Sequence, residues 1–442
     1  MNGNRRFGVT PERWPFFYGW FVLGVGAIGV LMSVPGQTVG VSVFIDPLIE
    51  VLATSRSAVS LTYMIGTLAA AAFLPVMGRL FDRKGATFMA TLAGAALGAC
   101  IVYMAAIDVI AAGLNRVFAI LSGEIGVIIG LSVGFFLIRL WGQGVMTMVS
   151  RNMVMKWFDR RRGLANGILG FVTTIGFSLS PPVLDWLIRL LSWRGAYLVL
   201  AAVVGLFFPV VARLFFRDRP QDHGLVPDGT SPTGHSNTSR TALTGSSQVN
   251  YTLREARITS LFRYVVATLF ISSAIETAVT FHIISIFQES GLSRAAAVRF
   301  FFPVYLVSIC THFIGSWLSD YVENKYFALV QLFGVGLSSA MLVVLAPGIS
   351  LWLLILGQGL GHGMNGICSI VLWPRYFGTK HLGAIYGFAM LGGVTGSAFG
   401  PFLFSLSIDL TGSYRTAGLI GVIATASLLG LAARSFIKRG AP

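Results

Sequence analysis

The sequence predicts an all-α membrane protein of twelve transmembrane helices in two pseudo-symmetric six-helix bundles, with both termini cytoplasmic. Three observations carry this. The 442 residues are 55% hydrophobic and only 11% charged, against roughly a quarter charged in an ordinary soluble domain, and mean hydropathy is +0.77. The apolar residues gather into runs of about 20 or more, the length that crosses a bilayer core at about 1.5 Å rise per residue. The basic residues cluster on alternate connections between those runs.

The runs lie at approximately 17–44, 57–79, 87–108, 130–157, 163–190, 195–216, 261–287, 296–319, 326–346, 351–377, 383–408 and 415–437, spans 1 to 12 in order. They are apolar all round, so alternating barrel strands are excluded. Arg5, Arg6 and Arg13 precede a run far longer than a signal-peptide core, and no cleavable leader is expected. Of the 32 Lys and Arg, 24 fall on the side of the two termini. Seven fall opposite (Arg56, Arg116, Arg189, Arg194, Arg294, Arg299, Arg415), and Arg139 alone lies at membrane depth. The net charge of +15 therefore reports orientation and attraction to anionic headgroups, and nucleic acid is not an expected partner. The plasma membrane, the inner membrane in a bacterium, is the expected location.

The stretch 217–260 is rich in Ser, Thr and Gly and reads as a cytoplasmic linker. It divides an N-terminal bundle, 1–216, from a C-terminal bundle, 261–442. The three cysteines, Cys100, Cys310 and Cys368, sit in apolar runs, where buried free thiols are expected and a disulfide framework is excluded.

The halves repeat each other. Ser55-Arg56 aligns with Ser293-Arg294, Asp82 with Asp320, and Gly142-Gln143-Gly144 with Gly361-His362-Gly363. SWRGAYL at 192–198 aligns with SYRTAGL at 413–419, and the first half carries an extra segment around 108–130. Two like-oriented six-helix halves imply a two-fold axis along the membrane normal, with a polar site near the midplane exposed alternately to each side. The expected function is a carrier.

Residues 78–85, GRLFDRKG, resemble the loop signature between spans 2 and 3 of the major facilitator superfamily, with a worn copy, GSWLSDYVENK, around Asp320. FFYGW at 16–20, WFDRRRGLANG at 157–167 and WPRYFGTKHLGAIYG at 373–387 resemble the monocarboxylate porter and oxalate/formate antiporter group. The resemblance implies the major facilitator fold, proton-linked transport of a small organic acid, and a breakable gating latch at Asp82, Arg83 and Asp320. It also implies a substrate-binding Arg in span 8, where His312 stands, and a Lys in span 11, where Gly393 stands. Nothing between Trp20 and Phe44 supplies the basic residue of span 1, and Ser308 occupies the place of an acidic partner.

Ionisable groups at bilayer depth cost about 2.5–3.5 kcal/mol on insertion scales and are functional candidates for that reason. Arg139, in RLWGQG, resembles a facilitator R-x-x-x-G motif; it binds an anion or else pairs with span 1 carbonyls. His312 meets a carboxylate when protonated, or else makes a neutral interhelical hydrogen bond. Glu276, the pseudo-mate of Thr38, is the candidate proton carrier, or else salt-bridges Arg139 or His312. His362, mate of Gln143 with Asn365 nearly one turn on, sits between glycines that also serve close packing. Gln37, Thr38 and Ser42 are candidate neutral ligands beside a kink at Pro35-Gly36. His282 is expected at the interface near the outer end of span 7. Tyr63, Tyr305 and Tyr386 read as packing aromatics.

The substrate-binding set is thus Gln37, Thr38, Arg139, Gln143, His312, His362 and Asn365, with Glu276 and His312 coupling the proton. No HExxH, GxSxG, P-loop or zinc spacing is present, so neither an enzyme, a cofactor nor a metal site is expected. The expected partners are a small organic anion, a proton and the bilayer, for a monomeric symporter of a monocarboxylate. The alternative is a drug/proton antiporter, although its GPxxGG element in span 5 is absent from GFVTTIGFSLSPPVLDW.

Overall fold

The computed structural model describes residues 16–117, 124–229, 251–318, 321–322, 324–378 and 381–437. They are helical, with no strand among the described residues, and form two compact units, Met1–His235 and Ser236–Pro442.

The first unit contains α1 (Gly19–Leu31), α2 (Thr38–Val41), α3 (Ile45–Leu52), α4 (Arg56–Ala105), α5 (Ile107–Val117), α6 (Ile125–Ile138), α7 (Thr147–Trp157), α8 (Arg162–Ala202) and α9 (Phe208–Phe215). The second contains α10 (Leu253–Ile258), α11 (Ser260–Glu289), α12 (Arg294–Arg299), α13 (Phe301–Leu318), α14 (Asn324–Val343), α15 (Ile349–Phe377), α16 (Leu382–Thr411) and α17 (Arg415–Ile437). Seven continuous helical stretches among the described residues are long and apolar enough to cross a membrane.

Two of those stretches, Arg56–Ala105 and Arg162–Phe215, run 50 and 54 residues, more than twice what a bilayer core of about 30 Å requires. Each is interrupted where the sequence places a connection. Gly85 takes φ +78° between spans 2 and 3, and Ser192 takes φ +67° between spans 5 and 6. The break at Ser192 opens SWRGAYL; the matching SYRTAGL follows Gly412, at φ +70°. The two turns differ, with ψ 169° at Ser192 and 8° at Gly412, and the positive φ costs the serine side chain energy that glycine does not pay.

Span 1, expected over 17–44 with a kink at Pro35-Gly36, is broken there into short pieces. Pro35 lacks an N–H, and a 3-10 turn at Val34–Gly36 delivers the chain to an extended Gln37, ψ 149°, before α2 begins. Span 4 loosens opposite this break: Arg139–Met146 is a π-helical segment joining α6 to α7. The two irregular stretches cross through their glycines. A Cβ on Gly142 would lie 2.9 Å from the Gly36 Cα, and one on Gly36 would overlap the Ile138 carbonyl. Gly36→Ala should therefore lower stability by about 1–3 kcal/mol. Gly24→Ala, which meets nothing within 4 Å, should be silent; thermal unfolding in detergent reads both.

The thiol expectation fails at one position. Cys100 and Cys368 are buried but Cys310 is exposed, on a face of α13 shared with Phe302, Leu306, Phe313, Ile314 and Trp317. An apolar run does not distinguish protein-facing from lipid-facing sides, because both are equally apolar. Within the extra segment of the first half, Ile107–Val117 is α5, tied to α8 by the Asp108–Arg194 ion pair.

Candidate functional site

Each unit has a buried ionisable group where its first and fourth spans cross. In the first unit this is Arg139, 3% exposed at the start of the π segment. The break in span 1 leaves the Gly36 carbonyl without its helical partner, since the Gly40 N–H turns to Gln37 O. Arg139 Nη1 donates to that carbonyl and to Thr38 Oγ1, both at 3.3 Å. Its guanidinium lies 5.0 Å over the ring of Tyr63, whose hydroxyl shares a 2.7 Å hydrogen bond with Thr38 Oγ1. Nε of Arg139 is buried with no partner, and no carboxylate lies within ion-pair distance among the described residues. The expected pairing with a span 1 carbonyl is therefore present, yet the cation is not neutralised.

Beside it, Gln37 Nε2 donates to Ser33 Oγ at 2.9 Å and to Thr147 Oγ1 at 3.2 Å. This side-chain knot fastens the broken end of α1 to α7. Gln143 is exposed on the π segment and makes no side-chain hydrogen bond among those found; its backbone nitrogen borders Gly36.

In the second unit the centre is Glu276, 4% exposed on α11. Its Oε2 lies 3.2 Å from His362 Nδ1 of α15, while Oε1 is buried without a hydrogen bond. Gly361 makes the approach possible: a Cβ there would stand 2.6 Å from Oε1. The ring of Tyr305 on α13 lies near His362, centroids 6.0 Å apart. His362 takes the place beside Glu276 that the sequence reading gave to Arg139 or His312.

His312 sits one turn further along α13–α15 packing. Its Nδ1 lies 3.4 Å from the Gly363 carbonyl and against Gly366, an interhelical contact to backbone. Asn365 is half-buried on α15. His282, expected at an interface, is instead fully buried, with Nε2 2.8 Å from the Pro401 carbonyl and its ring near Tyr414. The tight α11–α16 packing encloses it.

The Major Facilitator Superfamily profile matches residues 26–401. The chain belongs to that superfamily. This facilitator has several helices long and apolar enough to cross a membrane, and its alignments span less than two thirds of the length of the curated relatives it matches. It is similar to Probable sulfoacetate transporter SauU of Cupriavidus necator, 29% identical over 110 residues, 25% of each chain. It is also similar to Monocarboxylate transporter 13 of Rattus norvegicus, 24% identical over 277 residues. That alignment covers 60% of the facilitator but 58% of the relative's length. The fold is similar to a crystal structure of a bacterial homologue of the human lysosomal transporter Spinster. There the TM-score is 0.67 at 14% identity, over 96% of this chain and 99% of that one.

The motifs of the facilitator pack together at one end of its first unit. Phe17 and Trp20 of FFYGW meet Phe158 at ring distances of 5.6 and 5.0 Å, and Trp157 Nε1 donates to Arg217 O at 2.9 Å. Asp82 and Arg83 are exposed and make no ion pair among the described residues; Asp320 lies outside those residues. The carboxylate that reaches the start of span 3 is Asp218. Its Oδ1 accepts the Ala86 N–H at 3.0 Å and Lys156 Nζ at 2.8 Å. An anion there complements the helix dipole and satisfies a terminal N–H.

Asp218 was not singled out in the sequence, although its position in RDRP after an apolar run was a usable signal. Asp218→Asn should cost about 1 kcal/mol for a half-buried charge-assisted bond. Asp82→Asn should leave thermal stability unchanged, and unfolding of the two variants side by side checks it. Tyr63, read as a packing aromatic, is the other missed residue: its hydroxyl and ring face both hold the Arg139 site.

Proposed function

We propose that this facilitator carries a small organic anion, a carboxylate, together with a proton. The observation that carries the reading is Arg139, a buried guanidinium with an unpartnered Nε and no counter-ion among the described residues. A buried cation held only by neutral oxygens and a ring face is under-compensated. An arriving carboxylate supplies the missing charge and the two acceptors that a guanidinium fork matches. Thr38, Gln37 and Tyr63 are the neutral groups at hand for the rest of the substrate.

Glu276 and His362 serve the proton. A neutral imidazole donates from Nδ1 to an ionised Glu276, or accepts there from a protonated one, so the 3.2 Å contact holds one proton between the two atoms. Protonation removes the buried negative charge, and that change is the coupling step: the carrier's preferred conformation depends on whether the second unit holds an anion. His312, bonded to backbone, orients α13 against α15. Relatives whose names specify sulfoacetate and monocarboxylate transport are consistent with an anionic substrate.

The test is proton movement in proteoliposomes with an internal pH dye. Lactate, pyruvate, acetate, formate, oxalate, sulfoacetate and an aromatic acid are added outside, with two cationic drugs as contrast. Acidification by one acid beyond the leak of empty liposomes is the expected result. Alkalinisation of pre-acidified vesicles by a drug, with no response to any acid, would replace this reading with the exporter.

A further inference from the structure

We infer that the groove between α11 and α16 binds a phospholipid with an anionic headgroup, its phosphate held by Arg257 and Arg263 and an acyl chain laid along the groove. The site is separate from the Glu276–His362 pair. Ala267, in the groove lining, and Glu276 are nine positions apart on α11. At about 3.6 residues per turn they stand on opposite sides of that helix.

The groove has a volume of about 700 Å³ and lies wholly within the second unit. Its α11 wall runs from Arg263 to Ile271 and its α16 wall from Phe388 to Thr395. That is about 10 Å along either helix, a third of a bilayer core of about 30 Å. Phe270 and Phe388 supply bulk to the two walls, while Ala267 and Gly392 leave space between them. The helices cannot close this space by moving together. They already touch backbone to backbone alongside it, where Cβ atoms on Gly396 and Gly400 would overlap the carbonyls of Phe270 and Ala274. Thr395 donates to Leu391 O at 2.6 Å, so its hydroxyl is satisfied within its own helix. Apart from that residue and the two arginines, the lining is apolar.

The mouth is positive. Arg257 lies on α10 and Arg263 in the first turn of α11, both exposed, at the end that the distribution of Lys and Arg marks as cytoplasmic. Neither makes an ion pair or a side-chain hydrogen bond among the described residues. The Arg257 guanidinium lies 4.5 Å over the Phe388 ring. Stacking uses one face of the group and leaves its in-plane N–H donors for an oxygen ligand. Glu255, the carboxylate of α10, is turned back into its own cap, accepting the Thr252 N–H at 2.8 Å and the Thr252 hydroxyl at 2.9 Å. The start of α11, between the two arginines in the chain, adds the positive end of a helix dipole.

A cationic end joined to an apolar slot selects an amphipathic ligand. A free anion would meet the arginines and gain nothing from the apolar length. A neutral lipid would fill the slot and leave two guanidinium groups without a counter-charge. A phosphate ester on an acyl chain uses both, because a phosphate accepts paired N–H bonds from a guanidinium fork and the chain removes apolar wall from contact with less well-fitting neighbours. Basic pockets between spans on the cytoplasmic side are the kind that hold anionic headgroups.

The experiment follows thermal unfolding of the purified full-length protein in detergent against added phosphatidylglycerol, with phosphatidylcholine and inorganic phosphate as controls. A ligand bound by the folded state raises the unfolding temperature as its concentration passes Kd. Phosphatidylglycerol should do so and the two controls should not. In Arg257→Gln/Arg263→Gln the concentration needed should rise by about 30-fold. Ala267→Phe keeps both charges but fills the groove, and should weaken binding at least about tenfold, the equivalent of two buried methylenes. Thr395→Phe fills it from the other wall, with the same expected loss, and stands in if Ala267→Phe does not fold. Arg160→Gln/Arg161→Gln, an equal loss of exposed charge elsewhere, should respond like the wild type. An equal response to phosphatidylcholine overturns the headgroup assignment, and a response to inorganic phosphate matching that to the lipid overturns the lipid. Unchanged binding in the filled variants overturns the groove, and an equal loss in the Arg160/Arg161 variant reduces the effect to general surface attraction.

Discussion

Proteoliposomes carrying Glu276→Gln should lose acid-driven proton entry by at least about tenfold while still exchanging labelled substrate across the membrane. Gln is close in size to Glu and keeps the buried contact with His362 and Gly361, so the fold has no reason to change. It is, however, permanently neutral, like the protonated carboxyl. A carrier that must shed its proton before returning empty is then held at that step. Exchange, in which the loaded carrier moves both ways, needs no such release. Net uptake with a pH signal like the wild type would remove Glu276 from the coupling mechanism. Loss of exchange as well as net uptake would assign it to substrate binding instead. The double variant Glu276→Gln/His362→Gln should be no worse than the single one, because two groups that share one proton act as a unit.

Arg139→Met carries the second large effect, and its sign differs between stability and function. Substrate affinity should fall by about 100-fold or more, roughly 3 kcal/mol, as expected for removing the charged partner of a carboxylate. Thermal stability should hold or rise, because a buried cation without a counter-ion is replaced by a side chain of similar length with nothing to desolvate. Arg139→Lys keeps the charge without the planar fork and should fall between, with the affinity loss dominant. Titrating the acid that acidifies the vesicles against tryptophan fluorescence gives the affinity, and unfolding in detergent gives the stability. A marked drop in unfolding temperature for Arg139→Met would make the guanidinium a structural tie between the break in span 1 and the π segment. The anion reading would then lose its main support.

The two centres were partly visible in the repeat. Aligning Gly142-Gln143-Gly144 with Gly361-His362-Gly363 and Thr38 with Glu276 places both ionisable sites at equivalent crossings. Individual residues at bilayer depth were legible for the same reason that they are costly there: an apolar run makes each charge conspicuous. Partner choice was not legible. Glu276 had Arg139 and His312 as candidate partners, and rotation about each helix axis gave it His362 instead. An apolar residue reports burial, but lipid and protein interior bury it alike, so helix faces went unread; Cys310 and His282 fell on the sides not expected. Tyr63 was unreadable because an aromatic in an apolar run fits packing equally well.

Composition, run length and the placement of Lys and Arg determined that this protein is a helical membrane protein, and its aligned motifs that the two halves repeat each other. Those properties follow from bilayer thickness and from the cost of charge in hydrocarbon, both of which act on local sequence. The tertiary structure alone decided that the Pro35-Gly36 kink of span 1 meets a π-helical span 4, that Arg139 has no counter-ion among the described residues, and that Glu276 meets His362. These depend on close approach between segments distant in sequence, at glycines such as Gly36, Gly142 and Gly361. Contact between two backbones is a property of the pair and is written in neither segment by itself.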